Sequence, residues 1–254
     1  MTDRALAREA MEVAESIALR AGWIVLDLLD RRRTIERKRS AVDLVTDADR
    51  RSETFVVAEL ERRFPDHAIV AEEGGGHDAR TPYRWHIDPV DGTSNYAHGY
   101  PIFCVSIALC ENDRPIAGVV RAPALGETFK AHRGGGAYLN ERRIGVSEVA
   151  TLADALVATG FPYYRRERAK ELLALAGEFM QRTTGIRRAG AAAWDLANVA
   201  CGRLDAFWEE GLSSWDVAAG SLIIEEAGGR VSDYQGAPLD LYGPSIVATN
   251  GRLH

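Results

Sequence analysis

Two carboxylates stand three residues apart in the segment WHIDPVDGTSNYAHGYP, Trp85 to Pro101. Pro89 disfavours the helical region for Asp88, so a strand is expected to run out to that carboxylate before the chain turns. Gly92 permits a tight turn, and Thr93 or Ser94 can cap a short helix after it. The turn would put Asp88 and Asp91 on one side of a strand end. Anions that close repel, and one takes up a proton at neutral pH unless a cation sits between them. Hard oxygen donors of this kind suit Mg²⁺. The amides of Gly92 and Thr93, at a helix N-terminus, are placed to receive a phosphate. The competing reading of an isolated DxxDG is a turn in which Asp88 and Asp91 merely cap backbone groups.

Other acidic residues bear on that choice. Glu72 and Glu73 end an apolar strand just before a glycine-rich loop, and as strand neighbours they would point to opposite faces. Asp216 lies three residues after Ser213 at the start of SWDVAAGSLIIEEAGG, which fits a capping box without any metal. Asp47 and Asp49 open the helix after VDLVT, where Asp47 in particular reads as a cap. Six basic residues fall between Arg31 and Arg39. That run reads as a solvated loop from which only Lys38 stands out, as a phosphate or metal-water contact. The six histidines form no HxH or HExxH pattern, which leaves a zinc hydrolase unsupported, and His86 reads as a structural strand residue. The glycine triplets at 74–76 and 134–136 belong to no P-loop or GxGxxG sequence, and no GxSxG is present.

The elements that must position these groups can be read from periodicity. Residues 2 to about 30 carry a helical apolar stripe, and a short strand ending at Thr46 leads to a second helix, Asp47 to Phe64. Pro65 and Asp66 end it. AIVAEE and YRWHIDPV read as strands, and Phe103 to Val146 as an antiparallel meander. After about residue 150, strands alternate with helices (RRERAKELLALAGEFM, AAAWDLANVACG, SWDVAAGSLIIEEAGG), the texture of an α/β layer. The expected organisation is an N-terminal α+β half, 1–150, with most metal ligands, and a C-terminal α/β half, 151–254, with substrate contacts, fused into one catalytic unit.

Composition excludes broader alternatives. With 31 basic and 37 acidic residues among 254, the chain is mildly acidic and a poor general partner for nucleic acid or anionic lipid. Its length supports a core without disulfides or structural metal. Hydrophobic content of 46% argues against disorder and coiled coil. No apolar run approaches a membrane span, and MTDRALAREAMEVAES has no apolar core of a signal peptide. Cys104, Cys110 and Cys201 fit reduced thiols better than a disulfide framework. A cytoplasmic protein is expected.

Taken together, Lys38 with VDLVTDAD, AEEGG at 71–75, WHIDPVDGTSNYAHGYP and SWDVAAGSLIIEEAGG resemble the inositol monophosphatase family, within the lithium-sensitive, Mg²⁺-dependent phosphatase superfamily that includes fructose-1,6-bisphosphatase. The resemblance covers nearly the whole chain. It implies the layered αβαβα sandwich of that family, usually a homodimer, with two to three Mg²⁺ ions and inhibition by Li⁺. It assigns Glu72, Asp88 and the Val90 carbonyl to a first metal site and Asp88, Asp91 and Asp216 to a second, with Glu72 also holding a third ion through water. Thr93, paired with Asp49 or Glu72, would orient the attacking water. Gly92 and Thr93 would cradle the phosphate, Glu209 would bond inositol hydroxyls, and Gly190, Ala191 and Ala192 would contact substrate, as would Asp91. The activity implied is hydrolysis of inositol-1-phosphate or a similar sugar phosphate by direct attack of metal-activated water. The alternatives are fructose-1,6-bisphosphate, histidinol phosphate or a 3′-phosphonucleotide as substrate. From another class comes a non-catalytic RNA or protein interaction module on the same fold.

Overall fold

A computed structural model describes residues 4–29, 35–37 and 44–254. Lys38, and most of the basic run around it, lies outside the described residues. The elements in chain order are α1 (Arg4–Leu29), β1 (Ile35–Arg37), β2 (Leu44–Thr46), α2 (Asp47–Arg63), β3 (Ala68–Ala71), β4 (Tyr83–Asp91), α3 (Thr93–His98), β5 (Cys104–Glu111), β6 (Arg114–Ala122), β7 (Glu127–His132), β8 (Gly136–Leu139) and β9 (Arg142–Ile144). The second half continues with β10 (Leu156–Thr159), α4 (Ala169–Arg182), β11 (Gly185–Arg187), α5 (Ala192–Ala200), β12 (Ala206–Glu210), α6 (Ser214–Glu226), β13 (Arg230–Ser232) and β14 (Ser245–Thr249).

Strands β3 to β9 form one seven-stranded sheet in sequence order, antiparallel from β4 onward, which is the expected meander. A five-stranded sheet runs β11-β10-β12-β14-β13. The period-2 alternation of β5 divides its side chains between two cores. Val105, Ile107 and Leu109 pack under α1 and α2, while Cys104, Ala108 and Cys110 face α5, α6 and the smaller sheet. Helix α4 covers the outer side of that sheet, where Phe179 stacks on Trp208 with ring centroids 4.0 Å apart. Five layers result, α1/α2, large sheet, α5/α6, small sheet and α4, in agreement with the expected αβαβα sandwich.

Small residues set the spacing of the layers. Helix α1 buries Ala7, Ala10, Ala14, Ala18 and Ala21 along one stripe, which lets it lie close to the sheet. A Cβ on Gly118 of β6 would stand 3.0 Å from the Ala219 backbone of α6, and one on Gly220 would stand 2.6 Å from Leu196 of α5. A larger group at Gly118 would force α6 away from the sheet, and one at Gly220 would force α6 and α5 apart. Fully buried Ile107 and Leu109 each contribute roughly 1.5–3 kcal/mol through the area they remove from water.

Three local expectations need correction. The Glu72–Glu73 pair is not strand: β3 ends at Ala71 and both glutamates lie in the following turn. Neither Thr93 nor Ser94 caps α3; the helix begins at Thr93, and its N-cap is Gly92 with φ +88° and no side-chain bond. At the start of α2 it is Asp49, not Asp47, that completes the capping box with Thr46.

Candidate functional site

The expected turn between Asp88 and Asp91 is a bulge within a strand. β4 continues through Asp91, and its pairing with β5 shifts register between Asp88, opposite Ser106, and Asp91, opposite Cys104. Residues three apart on a regular strand point to opposite faces, so the inserted residue is what brings both carboxylates to the side facing α5 and α6. Pro89 has no N–H to lose from the ladder, which makes it an inexpensive residue for that place. Its carbonyl accepts the Ser52 hydroxyl of α2 at 3.1 Å, and the Val90 amide donates to Asp88 Oδ1 at 3.0 Å.

Asp88 and Asp91 meet Asp216 from the first turn of α6, one carboxylate oxygen from each lying within 4.8 Å of the others. The Ser213 amide donates to Asp216 Oδ2 at 2.7 Å, so capping and membership of the cluster occur together. Asp91 is held at the N-terminus of α5: the amides of Ala192 and Ala193 donate to its two oxygens at 3.2 and 2.7 Å, and the Cys104 thiol donates at 3.5 Å. Helix α5 has no side-chain cap of its own, so a carboxylate from the other sheet supplies it. Ala192, aligned by resemblance with substrate contacts, thus spends its amide on Asp91. Gly190 and Ala191 lie against the Gly92 turn; a Cβ on Gly92 would stand 3.1 Å from Ala191 Cβ and 3.4 Å from the Gly190 carbonyl.

Electrostatics fit a cation. Burial pushes the Asp88 carboxyl well above the usual carboxylate range, and the charges of Glu72, Asp91 and Asp216 push it further. Burial raises Asp216 too, with Asp91 and Glu72 adding to it. For Asp91 burial is opposed by the α5 amides and the Cys104 thiol. A cluster of this composition, with oxygen donors alone and like charges raising one another's proton affinity, is the donor set a hard divalent ion requires.

A second group adjoins it. The Thr93 hydroxyl lies 3.0 Å from Asp49 Oδ1 and 3.1 Å from the Val90 carbonyl, both acceptors for its single proton. Asp49 Oδ2 accepts the Thr46 hydroxyl at 2.5 Å and the Thr46 amide at 2.8 Å. Burial lifts the Asp49 carboxyl to about 6 against the pull of these bonds. Of the two partners expected for Thr93, Asp49 makes the contact. Glu209, on β12, is buried with its carboxyl against Gly160, and its proton affinity is raised by burial and by the nearby Asp216 and Asp91 charges.

Glu53 was not among the expected site residues. It is buried on α2 and accepts the amides of Glu73 at 2.7 Å and Gly75 at 2.8 Å, fixing the turn that carries Glu72. The signal for it was present in the i, i+4 spacing from Asp49, which puts both carboxylates on one helix face.

A profile of the inositol monophosphatase family matches residues 6–254. The inositol-1-monophosphatase of Synechocystis sp. is 47% identical over 248 residues, covering 96% of this chain and 85% of that one. The Nus factor SuhB of Pseudomonas aeruginosa is 46% identical over 252 residues, 94% of this chain and 92% of that one. Among solved structures, an inositol monophosphatase from Anabaena (Nostoc) superposes with a TM-score of 0.88 at 43% identity, covering 96% of this chain and 92% of that one.

Proposed function

The chain belongs to the inositol monophosphatase family, and from that membership we propose that it is a phosphate monoester hydrolase acting on inositol-1-phosphate or a similar sugar phosphate, with Mg²⁺ as cofactor. The observation that carries this reading is the gathering of Asp88, Asp91 and Asp216 beside the Thr93–Asp49 pair. Asp88, Asp91, Asp216, Glu72 and the Val90 carbonyl would hold two to three ions, which supply Lewis acidity and lower the pKa of water from about 15.7 toward about 7 in the strongest cases.

The chain's own groups account for the rest. Asp49 and the Val90 carbonyl draw the Thr93 proton to their side, so the hydroxyl oxygen turns its lone pairs outward and can accept a hydrogen bond from the attacking water. Thr46 fixes Asp49 in that role. The α5 amides keep Asp91 from rotating, which preserves an open oxygen position. Gly92 and Thr93 receive the phosphate on backbone amides, and the Glu209 carboxyl, with no Cβ at Gly160 to crowd it, accepts substrate hydroxyls.

The test is a panel of inositol-1-phosphate, fructose-1,6-bisphosphate, histidinol phosphate and a 3′-phosphonucleotide with Mg²⁺, with and without Li⁺. The expected result is highest kcat/KM on inositol-1-phosphate, inhibited by Li⁺; no hydrolysis of any member overturns the reading. A homodimer is part of it, supported by Leu173 and Met180, 62% and 70% exposed on the outer face of α4. A second reading, a non-catalytic module that engages RNA or protein, is favoured by the likeness to a protein named as a Nus factor. Steeply salt-dependent RNA binding with no activity on the panel would select it.

A further inference from the structure

His86 is fully buried on β4 and takes no part in the chemistry described above. It shares a strand face with Asp88, two residues on, while Trp85 and Ile87 pack into the core on the other side. Its Nδ1 lies 2.9 Å from the hydroxyl of Ser214, the first residue of α6. Its Nε2 is buried and has no hydrogen-bond partner among the described residues. Ser106, the ladder partner of Asp88, donates to the Trp215 carbonyl at 3.1 Å. Two side chains that flank Asp88 on the sheet therefore grip the first turn of α6, the turn that carries Asp216.

An orphaned imidazole nitrogen costs free energy that an apolar side chain of similar size would not. The gain from His86 therefore lies elsewhere than in stability. Asp88 belongs to the sheet and Asp216 to a helix, so their separation is set by how α6 docks on the sheet and on α5, and the bonds from His86 and Ser106 fix that docking at its first turn. Resting on the metal-centre reading above, we infer that His86 is a positioning residue: its bond to Ser214 fixes the first turn of α6 against β4 and so holds Asp216 at the distance from Asp88 that a divalent ion needs.

The experiment measures Mn²⁺ binding to the full chain by calorimetry, the Mg²⁺ half-saturation of phosphate release, and melting temperature. His86→Leu and Ser214→Ala each weaken Mn²⁺ binding and raise Mg²⁺ half-saturation about tenfold, the scale of lost outer-shell support at metal sites. Turnover at saturating Mg²⁺ falls less than about threefold, and the metal-free melting temperature of the double variant does not fall, since both members of the pair have gone together. The double variant is no worse than either single one in metal binding. His86→Asn, whose amide places a polar atom where Nδ1 stands, restores binding. Wild-type affinity in folded His86→Leu or Ser214→Ala, additive losses in the double variant, or His86→Asn as weak as His86→Leu overturns the inference. Should His86→Leu fail to fold, Ser214→Ala carries the test. Calorimetry keeps the two readings apart: wild-type protein that binds Mn²⁺ but hydrolyses no phosphate ester refutes the function alone, and wild-type protein that binds no Mn²⁺ refutes this inference.

Discussion

Replacing Asp91 by Asn separates the charge of this residue from its shape. The carboxylate takes two amides of α5 and the Cys104 thiol, and one of its oxygens lies within 4.8 Å of oxygens of Asp88 and Asp216. An Asn side chain can keep its carbonyl oxygen on the Ala193 amide but then turns an NH₂ toward Ala192. The loss is one charge-assisted bond weakened to a neutral one and another lost, about 1–3 kcal/mol. Relief of like-charge repulsion within a buried cluster offsets part of it, so the metal-free melting temperature should move by only a few degrees. The effect on a bound divalent ion is larger. A unit charge and a divalent ion about 4 Å apart attract by roughly 8 kcal/mol at an effective dielectric of about 20. If water and the amide dipole restore about half, some 4 kcal/mol remains, equivalent to about 10³-fold. Phosphate release from inositol-1-phosphate across a Mg²⁺ titration, with circular dichroism and thermal melts on the same preparations, gives both readouts. A folded Asp91→Asn protein with near-wild-type Mg²⁺-dependent turnover would refute the assignment of Asp91 to the metal centre.

Thr93→Ala should cost about 10²-fold in turnover, the usual size of a lost proton-handling group, while Thr93→Ser, which keeps the hydroxyl on Asp49, recovers most of it; equal losses in both would deny the hydroxyl a role. Gly160→Ala places a Cβ 1.9 Å from Glu209 Oε2, so the carboxyl must swing away, raising KM for inositol-1-phosphate about tenfold with a smaller change in kcat; an unchanged KM would remove Glu209 from the substrate site. The folded-state carboxyl values of Asp49, about 6, and Asp216, about 8, lie above the ordinary aspartate value of 3.8. A raised value means that the folded state holds the proton more tightly, so this stabilisation is complete below about pH 4 and is lost as pH rises through about 6 and then about 8. The gap between melting temperatures with and without Mg²⁺ should therefore widen from pH 5 to 8; a constant gap would contradict the buried-cluster account.

The parts of the site legible in the sequence were those written in local patterns. Ser213 with Asp216 follows capping spacing, and the apolar and alternating runs from Phe103 to Val146 read as the antiparallel meander that β5 to β9 form. The bulge at Pro89–Val90 was not legible, because a DxxD spacing fits a turn as well as a strand with one inserted residue, and only the pairing with β5 decides. The hold of α5 on Asp91 joins residues about a hundred positions apart, and no local signal marks Ala192 and Ala193 as its partners. Helix α4 begins at Ala169 rather than within the basic residues before it; Arg168 instead bonds Glu210 and Glu171 at the helix entrance.

Helices α2, α5 and α6 all begin at the carboxylate cluster, with Asp49, the amides of Ala192 and Ala193, and Asp216 in their first turns. Their far ends, at Arg63, Ala200 and Glu226, lie about two to four turns away along each axis. Each of the three helices thus turns its start, with its electrically demanding side chains, toward the cluster and its end away from it. Sequence change has different freedom at the two ends of each helix. Insertions, fusions or affinity tags placed after Phe64, Cys201 or Ala227 enter where helices end and should leave the carboxylate cluster intact, whereas equivalent changes at Thr46, Ala191 or Ser213 should disturb it directly.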